Sequence, residues 1–265
     1  MAKTLLDRAF GILELVASHH GGLRLQAIAN ELDITKSAAH RLLAELIRLG
    51  YTRHDEEAER YVLTNKLLSL SFRYLAGSGV LDLAQPILDE LAARTGDLVR
   101  LGVVNGDSQV WVAKAQGAPS GLRYDPDMGA EVPLFCTATG HAWLACLPEE
   151  EALAMVARQG FTALDERGPK APRSIEAVRE RLLAARQLGY ASVYECSAPG
   201  TAAVAVAVRR PVDGRVLGTL SVGGPSLRLT EARLKEFAPL VQEAAAELGS
   251  IWIHHAIPAE MKHSI

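Results

Sequence analysis

One segment of the chain, residues 37–49, carries hydrogen-bond donors at a spacing that suits contact with DNA. Apolar residues recur in it every three or four positions and so share one helical face, namely Ala39, Leu42, Leu43, Leu46 and Leu49. The opposite face, with a lysine at its start, carries Lys36, Ser37, His40, Arg41, Ala44 and Arg48. A helix with one buried stripe and donors in its first turns can enter the major groove N-terminus first. The segment therefore predicts a recognition helix in which Ser37, His40 and Arg41 meet base edges or nearby phosphates.

A short helix before this segment and a hairpin after it complete a helix-turn-helix with a wing. Residues 25–32 are apolar-periodic and are separated from the recognition helix by the three residues 33–35. After Gly50, residues 51–63 predict two short strands around an acidic tip. We expect three cations of this region to meet phosphates, namely Lys36, Arg53 and Arg60. The same spacing also fits two ordinary helices and a hairpin that only pack a core.

A second set of residues is suited to binding an anion. Thr137-Ala138-Thr139-Gly140 begins a predicted helix just after the extended segment 132–135. Free backbone N–H groups at a helix N-terminus, beside small side chains that allow close approach, favour an anion such as a carboxylate. The same residues also fit an ordinary threonine-capped helix that packs on its neighbour.

Arg100 is a further candidate for anion binding. It lies on a predicted strand, where it shares a face with Leu98 and Gly102. Its guanidinium can pair with a carboxylate through two parallel hydrogen bonds. A solvent-facing arginine on an edge strand fits the pattern equally well.

Two further helices and a joint organise the N-terminal part of the chain. Residues 4–18 predict a first helix with the apolar face Leu6, Ala9, Phe10, Leu13, Val16 and Ala17. Residues 65–76 predict another, with the apolar stripe Leu67, Leu68, Leu70, Ser71, Tyr74 and Leu75. That stripe needs a cover, which its own domains or the same helix of a second subunit can supply. Since Gly77-Ser78-Gly79 predicts a flexible joint, we place a DNA-binding domain at 1–64, a linker helix and joint at 65–79, and a second domain at 80–265.

The sequence of the second domain predicts a mixture of hairpins and helices. A helix over 81–94 is expected to turn Leu83, Ile87, Leu88 and Leu91 inward. Strands are predicted at 98–104, 109–115, 202–209 and 216–222, and helices at 137–147, 149–159, 174–188 and 231–254. Hairpins covered by helices indicate an antiparallel sheet, so we predict an α+β fold rather than a doubly wound one.

Three motifs resemble the isocitrate lyase regulator (IclR) family. Residues 37–43, followed by Leu46, Leu49-Gly50-Tyr51 and Arg53, look like that family's helix-turn-helix. Residues 133–142, Pro-Leu-Phe-Cys-Thr-Ala-Thr-Gly-His-Ala, resemble its Pro-Leu-His-x-Thr-Ala-x-Gly-Lys-Ala stretch. Residues 218–225, Gly-Thr-Leu-Ser-Val-Gly-Gly-Pro, are similar to its Gly-x-Leu-Ser-x-Ser-Gly-Pro strand. The three motifs occur in the expected order and span nearly the whole chain.

The resemblance implies a winged helix-turn-helix joined by a linker helix to a GAF-like effector domain. It also implies homodimers or dimer-of-dimers tetramers. The equivalents of Ala138, Thr139, Ala203, Ser221 and Gly223 line the effector pocket in that family. On this basis Ala138 and Thr139 would offer backbone donors, Ser221 its hydroxyl, and Ala203 part of the wall.

Four departures from the family pattern affect the expected ligand. Phe135 stands where His is usual, His141 where Lys is usual, Ala203 where Cys is frequent, and Gly223 where Ser is common. The pocket is therefore expected to be less polar and roomier. This weakens the argument for a two-carbon acid such as glyoxylate and leaves larger aliphatic or aromatic acids open.

The composition of the chain and the motifs that it lacks limit the other classes of protein that it could belong to. The 265 residues suffice for two domains, and a net charge of −3 gives no global attraction to nucleic acid. We expect no signal peptide and no membrane span, and three widely spaced cysteines suit free thiols in the cytoplasm. No catalytic or phosphate-loop motif occurs, and neither the His19-His20 nor the His254-His255 pair suits metal chelation. We therefore expect no metal and no cofactor.

Together these features predict a transcriptional regulator that binds operator DNA and responds to a small organic acid. An effector can change operator affinity only through its differential affinity for two arrangements of the protein. Two alternatives stay open from the sequence. One is an enzyme that metabolises a small acid and carries an N-terminal interaction domain, and the other is an architectural DNA-binding protein with an inert second domain.

Overall fold

The computed structural model describes residues 4–76, 80–126, 129 and 131–252, and the chain divides near Gly77 into two compact units. The predicted joint at residues 77–79 lies outside the described residues. The first unit contains the helices α1 Leu5–Ala17, α2 Leu25–Glu31, α3 Lys36–Arg48 and α4 Asn65–Ala76, and the antiparallel hairpin β1 Thr52–Asp55 and β2 Arg60–Leu63. The helix-turn-helix and wing predicted from the sequence are thus present.

Local hydrogen bonds determine where the helices of the first unit begin. At α1, Thr4 Oγ1 accepts from the Asp7 N–H at 3.2 Å, and the Asp7 carboxylate accepts from the Thr4 N–H at 2.7 Å. At α3, Thr35 Oγ1 accepts from the Ala38 N–H at 3.3 Å. Between α2 and α3, Asp33 adopts a left-handed backbone conformation with φ of 53°. Aspartate tolerates this conformation, so the turn between the two helices can be tight.

The apolar core of the first unit uses the C-terminal half of α1 and the inner face of α3. Its buried members are Ile12, Leu13, Val16, Ile28, Leu42, Leu43, Leu46 and Tyr61. The predicted apolar face of the first helix is buried only in part, since Leu6 and Phe10 are 66% and 59% exposed. Leu49 is also exposed, because α3 ends there. In α4, Leu67 packs against this core, whereas Leu68 and Leu70 are exposed.

The second unit is a five-stranded antiparallel sheet with helices on its faces, as the α+β prediction required. Its elements are α5 Val80–Thr95, β3 Leu98–Asn105, β4 Ser108–Gln116, α6 Ala138–Leu144, α7 Glu149–Gln159, α8 Ile175–Leu188, β5 Ala191–Tyr194, β6 Thr201–Arg209, β7 Val216–Pro225 and α9 Glu231–Trp252. The strand order is β4-β3-β7-β6-β5. The four-residue strand β5 was not predicted. The predicted end of the last helix, residues 253–254, lies outside the described residues.

Strand alternation gives the sheet two different faces. One face packs apolar residues such as Val99, Leu101 and Val222 against α5 and α9. The other face carries Arg100, which pairs in register with Ser221 on the neighbouring strand. In α5 the buried set is Ala84, Ile87, Leu88 and Leu91, so the predicted inward position of Leu83 is wrong. Ala84 completes the helical stripe that faces the core, which leaves Leu83 41% exposed. Within the described ranges, no helix combines the length and apolar character needed to cross a membrane.

Candidate DNA-binding surface and ligand cavity

The outer face of α3 presents the donors that the sequence singled out. Lys36, Ser37, His40 and Arg41 are exposed, while Ala39, Leu42, Leu43 and Leu46 on the opposite face are buried. Ser37 Oγ lies 3.2 Å from Thr35 Oγ1 at the start of the helix. At the other end of α3, Arg48 is paired with Glu45 at 2.8 Å. Lys36 and Arg41 form no ion pair within the described residues, so their charges are available to an external partner.

The two arginines of the hairpin are exposed but have partners within the unit. Arg53 Nη1 lies 3.3 Å from Asp55 Oδ2, and Arg60 Nη1 donates to the carbonyl oxygens of Gly21 and Gly22 at 3.3 and 3.4 Å. Hydrogen bonding from the Ala58 N–H, followed by the bond from Arg53, lowers the pKa of the Asp55 carboxyl. Contact of Arg53 with a phosphate would therefore compete with its bond to Asp55.

A cavity of about 380 Å³ opens on the face of the sheet that carries Arg100. Four of the seven residues predicted for effector binding line it, namely Arg100, Ala138, Thr139 and Ala203. The aromatic residues Trp111 and Tyr124 also line it, and neither was predicted. The volume lies within the range of about 300–1,000 Å³ that small-molecule sites occupy.

Arg100 is a buried, charged residue in the wall of this cavity. It is 6% exposed and lies on β3, between β4 and β7, so the alternative of a solvent-facing arginine on an edge strand is wrong. Its guanidinium carbon lies 3.8 Å from the centre of the Trp111 ring and 5.7 Å from that of Tyr124. Burial lowers the pKa of Arg100. Within the described residues Nη1 has no hydrogen-bond partner and the side chain has no acidic partner.

The N-terminus of α6 is capped by Thr137. Its Oγ1 accepts from the Gly140 N–H at 3.0 Å and donates to the Pro133 carbonyl at 2.8 Å. The Gly140 N–H is therefore already used, and a Cβ at Gly140 would lie 2.7 Å from backbone atoms of Leu134. Gly140 does not line the cavity; the structure gives it a packing contact with Leu134. The segment before the helix is a turn over 134–136, not the extended segment predicted.

Ser221 and Gly223 lie on β7 beside the cavity residues. Ser221 is buried and its hydroxyl lies 3.4 Å from the Arg100 carbonyl oxygen, to which it donates. A Cβ at Gly223 would lie 3.6 Å from Ala203 Cβ and 3.7 Å from a Tyr124 ring carbon. Gly223 therefore faces two residues of the cavity wall, and its missing side chain leaves space there.

Two titratable groups close to the N-terminus of α6, His141 and Cys136, are buried and neutral. His141 Nε2 donates to the Phe135 carbonyl at 2.8 Å, and burial lowers the pKa of His141 to about 4. Burial raises the pKa of the Cys136 thiol to about 12, which leaves it protonated and weakly nucleophilic. In the described part of the chain, no group of three or more His, Cys, Asp or Glu side chains is placed to hold a metal ion.

Two family models match the sequence. The model described as bacterial transcriptional regulator IclR C-terminal matches residues 72–250, and the IclR helix-turn-helix domain matches residues 5–56. The chain is 30% identical over 246 residues to the HTH-type transcriptional regulator BhcR of Paracoccus denitrificans, an alignment that covers 92% of this chain and 85% of that protein.

Solved structures show the same fold. The IclR transcriptional regulator from Alicyclobacillus acidocaldarius superimposes with a TM-score of 0.77 at 25% identity, covering 94% of this chain and 98% of that one. An IclR homologue from Microbacterium hydrocarbonoxydans, solved in complex with 4-hydroxybenzoate, gives a TM-score of 0.75 at 21% identity over 96% of this chain and 100% of that one.

The matches cover both units of the chain. The N-terminal model covers the helix-turn-helix and the first strand of the hairpin, and the C-terminal model covers the sheet and the cavity. The relatives named above are transcriptional regulators, so the enzyme alternative is excluded. The chain belongs to the IclR family of bacterial transcriptional regulators.

Proposed function

We propose that this regulator binds operator DNA through α3 and the hairpin, and that a small organic acid in the cavity of the second unit changes its operator affinity. Ser37, His40 and Arg41 meet base edges or nearby phosphates, while Lys36 and the hairpin arginines meet phosphates. The protein works in the cytoplasm, where operator and acid are both present.

The observation that carries the effector proposal is the buried charge of Arg100. A buried ion without a partner is costly, so buried charges in proteins are almost always paired. Arg100 has no acidic partner in the described part of the chain, yet it lines a cavity open to small molecules. A carboxylate would supply the missing negative charge and accept the guanidinium hydrogen bonds. The complex of the Microbacterium hydrocarbonoxydans relative with 4-hydroxybenzoate supports an acid ligand in this fold.

Operator binding requires at least two copies of the chain. One recognition helix reads only a few base pairs, so useful affinity needs a dimer on paired half-sites. The first unit exposes large apolar side chains on α1 and α4, namely Leu5, Leu6, Phe10, Leu68 and Leu70. Exposed apolar surface of this kind is a candidate for contact between subunits. A homodimer, or a tetramer built from two dimers, would cover it.

The test is binding of the purified protein to a fluorescent DNA fragment from upstream of its own gene. An unrelated fragment of equal length is the control, at fixed salt, with and without a panel of small organic acids. Preference for its own fragment, changed by at least one acid, supports the proposal. Equal affinity for both fragments with a strong salt dependence would instead favour an architectural DNA-binding protein.

A further inference from the structure

We propose that the effector is a monocarboxylate with an uncharged body larger than two carbons, that Arg100 anchors its carboxylate, and that Trp111 positions the guanidinium of Arg100. This inference rests on the proposed function, because it specifies the ligand of the same cavity. It places the carboxylate over the sheet at β3 and β4, not at the N-terminus of α6.

The other charged side chain that is buried in the second unit, Asp97, has its ion-pair partner within the same unit. Asp97 is 1% exposed and accepts from Arg228 Nε at 3.1 Å. Arg100 and Asp97 are the charged side chains buried in the described residues, and Arg100 is the one without an ion pair. The fold thus supplies a partner, Arg228, for the buried charge of Asp97. At Arg100 the pairing is left to a group that enters the cavity.

The contact with Trp111 determines which part of the guanidinium is available. The two groups lie 3.8 Å apart, a distance at which Trp111 covers one face of the guanidinium and leaves its in-plane N–H groups for acceptors. Trp111 Nε1 is also buried without a hydrogen-bond partner in the described residues. Both groups are donors only, and a carboxylate offers acceptors only. A carboxylate therefore matches this wall, whereas a neutral amide would leave the charge of Arg100 uncompensated.

The charges of the cavity limit the ligand to a single negative charge. Among the described residues, Glu131 and Arg167 also line the cavity, and their formal charges sum to zero. The charge of Arg100 then remains, and one carboxylate neutralises it. A second carboxylate would gain from Arg167 but would meet the repulsion of Glu131.

Small and apolar residues bound the rest of the cavity. Val193, Ala138 and Ala203 line it, and Gly223 adds no side chain beside Ala203. A cavity of about 380 Å³ would hold mostly water around an acid of two carbons. An uncharged body of roughly six to ten heavy atoms would replace that water and bury apolar surface.

The test compares matched acids and neutral analogues on the full-length protein by calorimetry and thermal unfolding. The probes are hexanoate and benzoate, their amides, the dicarboxylates adipate and terephthalate, and glyoxylate. We expect at least one of the two monocarboxylates to bind and to raise the melting temperature. Its amide and dicarboxylate counterparts should bind at least about 10-fold more weakly, since the amide loses a hydrogen bond to a charged group and the dicarboxylate gains a repulsion. Glyoxylate should also bind at least about 10-fold more weakly, because it buries little apolar surface. An amide that binds as tightly as its acid would overturn the assignment.

Variants of the lining arginines test which of them anchors the carboxylate. Arg100→Met removes the buried charge at similar length, so the ligand-free protein should melt at an equal or higher temperature while acid affinity falls about 10-fold to 100-fold. Arg167→Met removes the other lining arginine and leaves Glu131 unopposed, so it should weaken acid binding by less than Arg100→Met does. Arg158→Met, at an exposed arginine outside the cavity that is paired with Asp107, is the matched control and should change affinity by no more than about threefold. The reverse pattern would make Arg167 the anchor and refute the proposal.

The positioning role of Trp111 has its own readout. Trp111→Ala should weaken acid binding about as much as loss of Arg100, whereas Trp111→Phe keeps an aromatic face against the guanidinium and should restore most of the affinity. Equal losses in both variants would mean that the ring does not position Arg100.

Should an acid alter operator binding equally in the wild type and in Arg100→Met, the anchor is wrong and the proposed function stands. Should no acid bind the wild type or alter its operator affinity, the proposed function itself fails.

Discussion

Replacing Arg41 with alanine tests how α3 meets DNA. With a rise of about 1.5 Å per residue, Arg41 lies about 7.5 Å along the helix from Lys36, whereas Arg48 lies about 18 Å from it. The major groove of DNA is about 8.5 Å deep. A helix that enters N-terminus first therefore places Arg41 within reach of the base edges and Arg48 outside the groove. Arg48 is also neutralised by Glu45 at 2.8 Å.

These positions predict different losses of operator affinity for Arg41→Ala and Arg48→Ala. A bidentate contact between an arginine and a base contributes about 1–3 kcal/mol, so Arg41→Ala should weaken operator binding about 5-fold to 150-fold per subunit. If Arg41 contacts a phosphate instead, the loss should be similar on all DNA and the salt dependence should fall by about 0.9 per contact. Arg48→Ala should change affinity by no more than about threefold.

Fluorescence anisotropy with the upstream fragment, measured at several salt concentrations, distinguishes these outcomes. Both arginines are exposed, so unfolding free energies should stay within about 0.5 kcal/mol of the wild type, and thermal unfolding checks this. The reasoning is refuted if Arg48→Ala weakens binding as much as Arg41→Ala. It is equally refuted if Arg41→Ala leaves both the affinity and the salt dependence unchanged.

Three further predictions concern packing, pH and the hairpin tip. Gly140→Ala should destabilise the protein by roughly 1–3 kcal/mol in denaturant unfolding, because its Cβ would lie 2.7 Å from the backbone of Leu134; a neutral result would show that α6 can shift. Burial lowers the pKa of His141 to about 4, so the unfolded state takes up its proton first and stability should fall by up to about 3 kcal/mol as the pH drops from about 6.5 to 4. His141→Gln should remove that part of the pH dependence of unfolding, and an unchanged profile would contradict it. Glu56→Gln combined with Glu57→Gln should tighten DNA binding by roughly 0.5 kcal/mol at low salt, since acidic groups at the tip repel phosphates, and the gain should vanish at high salt.

Periodicity predicted the helices well but did not always identify their buried face. In α3 the polar and apolar residues separate cleanly, and the predicted stripe is buried except for Leu49 at the end of the helix. The first helix is apolar on most sides, with the sequence LLDRAFGILELVA, so spacing alone allows more than one inward face. The structure buries Ile12, Leu13 and Val16 there and exposes Leu6 and Phe10. Tertiary packing makes that choice, and the local pattern does not contain it.

The aromatic neighbours of Arg100 depend on strand register, which the sequence does not determine. Gly102 is paired with Trp111, while Arg100 is paired with Lys114, because the ladder between β3 and β4 is irregular at Leu101 and Gly102. Such an irregularity inserts an extra residue and re-aims nearby side chains. The strands themselves were predicted, but contact between Arg100 and Trp111 requires this exact pairing. Tyr124 comes from a segment without regular secondary structure, for which periodicity gives no signal.

Arg100 shows why a departure from ordinary folding rules can indicate function. A methionine or leucine at this position of β3 would pack against Trp111 without the cost of desolvating a charge. Stability alone therefore does not explain an arginine that is 6% exposed and has no acidic partner in the described residues. Sequences that fold well violate local rules mainly at functional sites, where another interaction compensates. An acid that binds here would supply that compensation only when present, so it would stabilise the occupied form of the second unit over the empty one. A free-energy difference of that kind is what a small acid needs in order to change operator affinity.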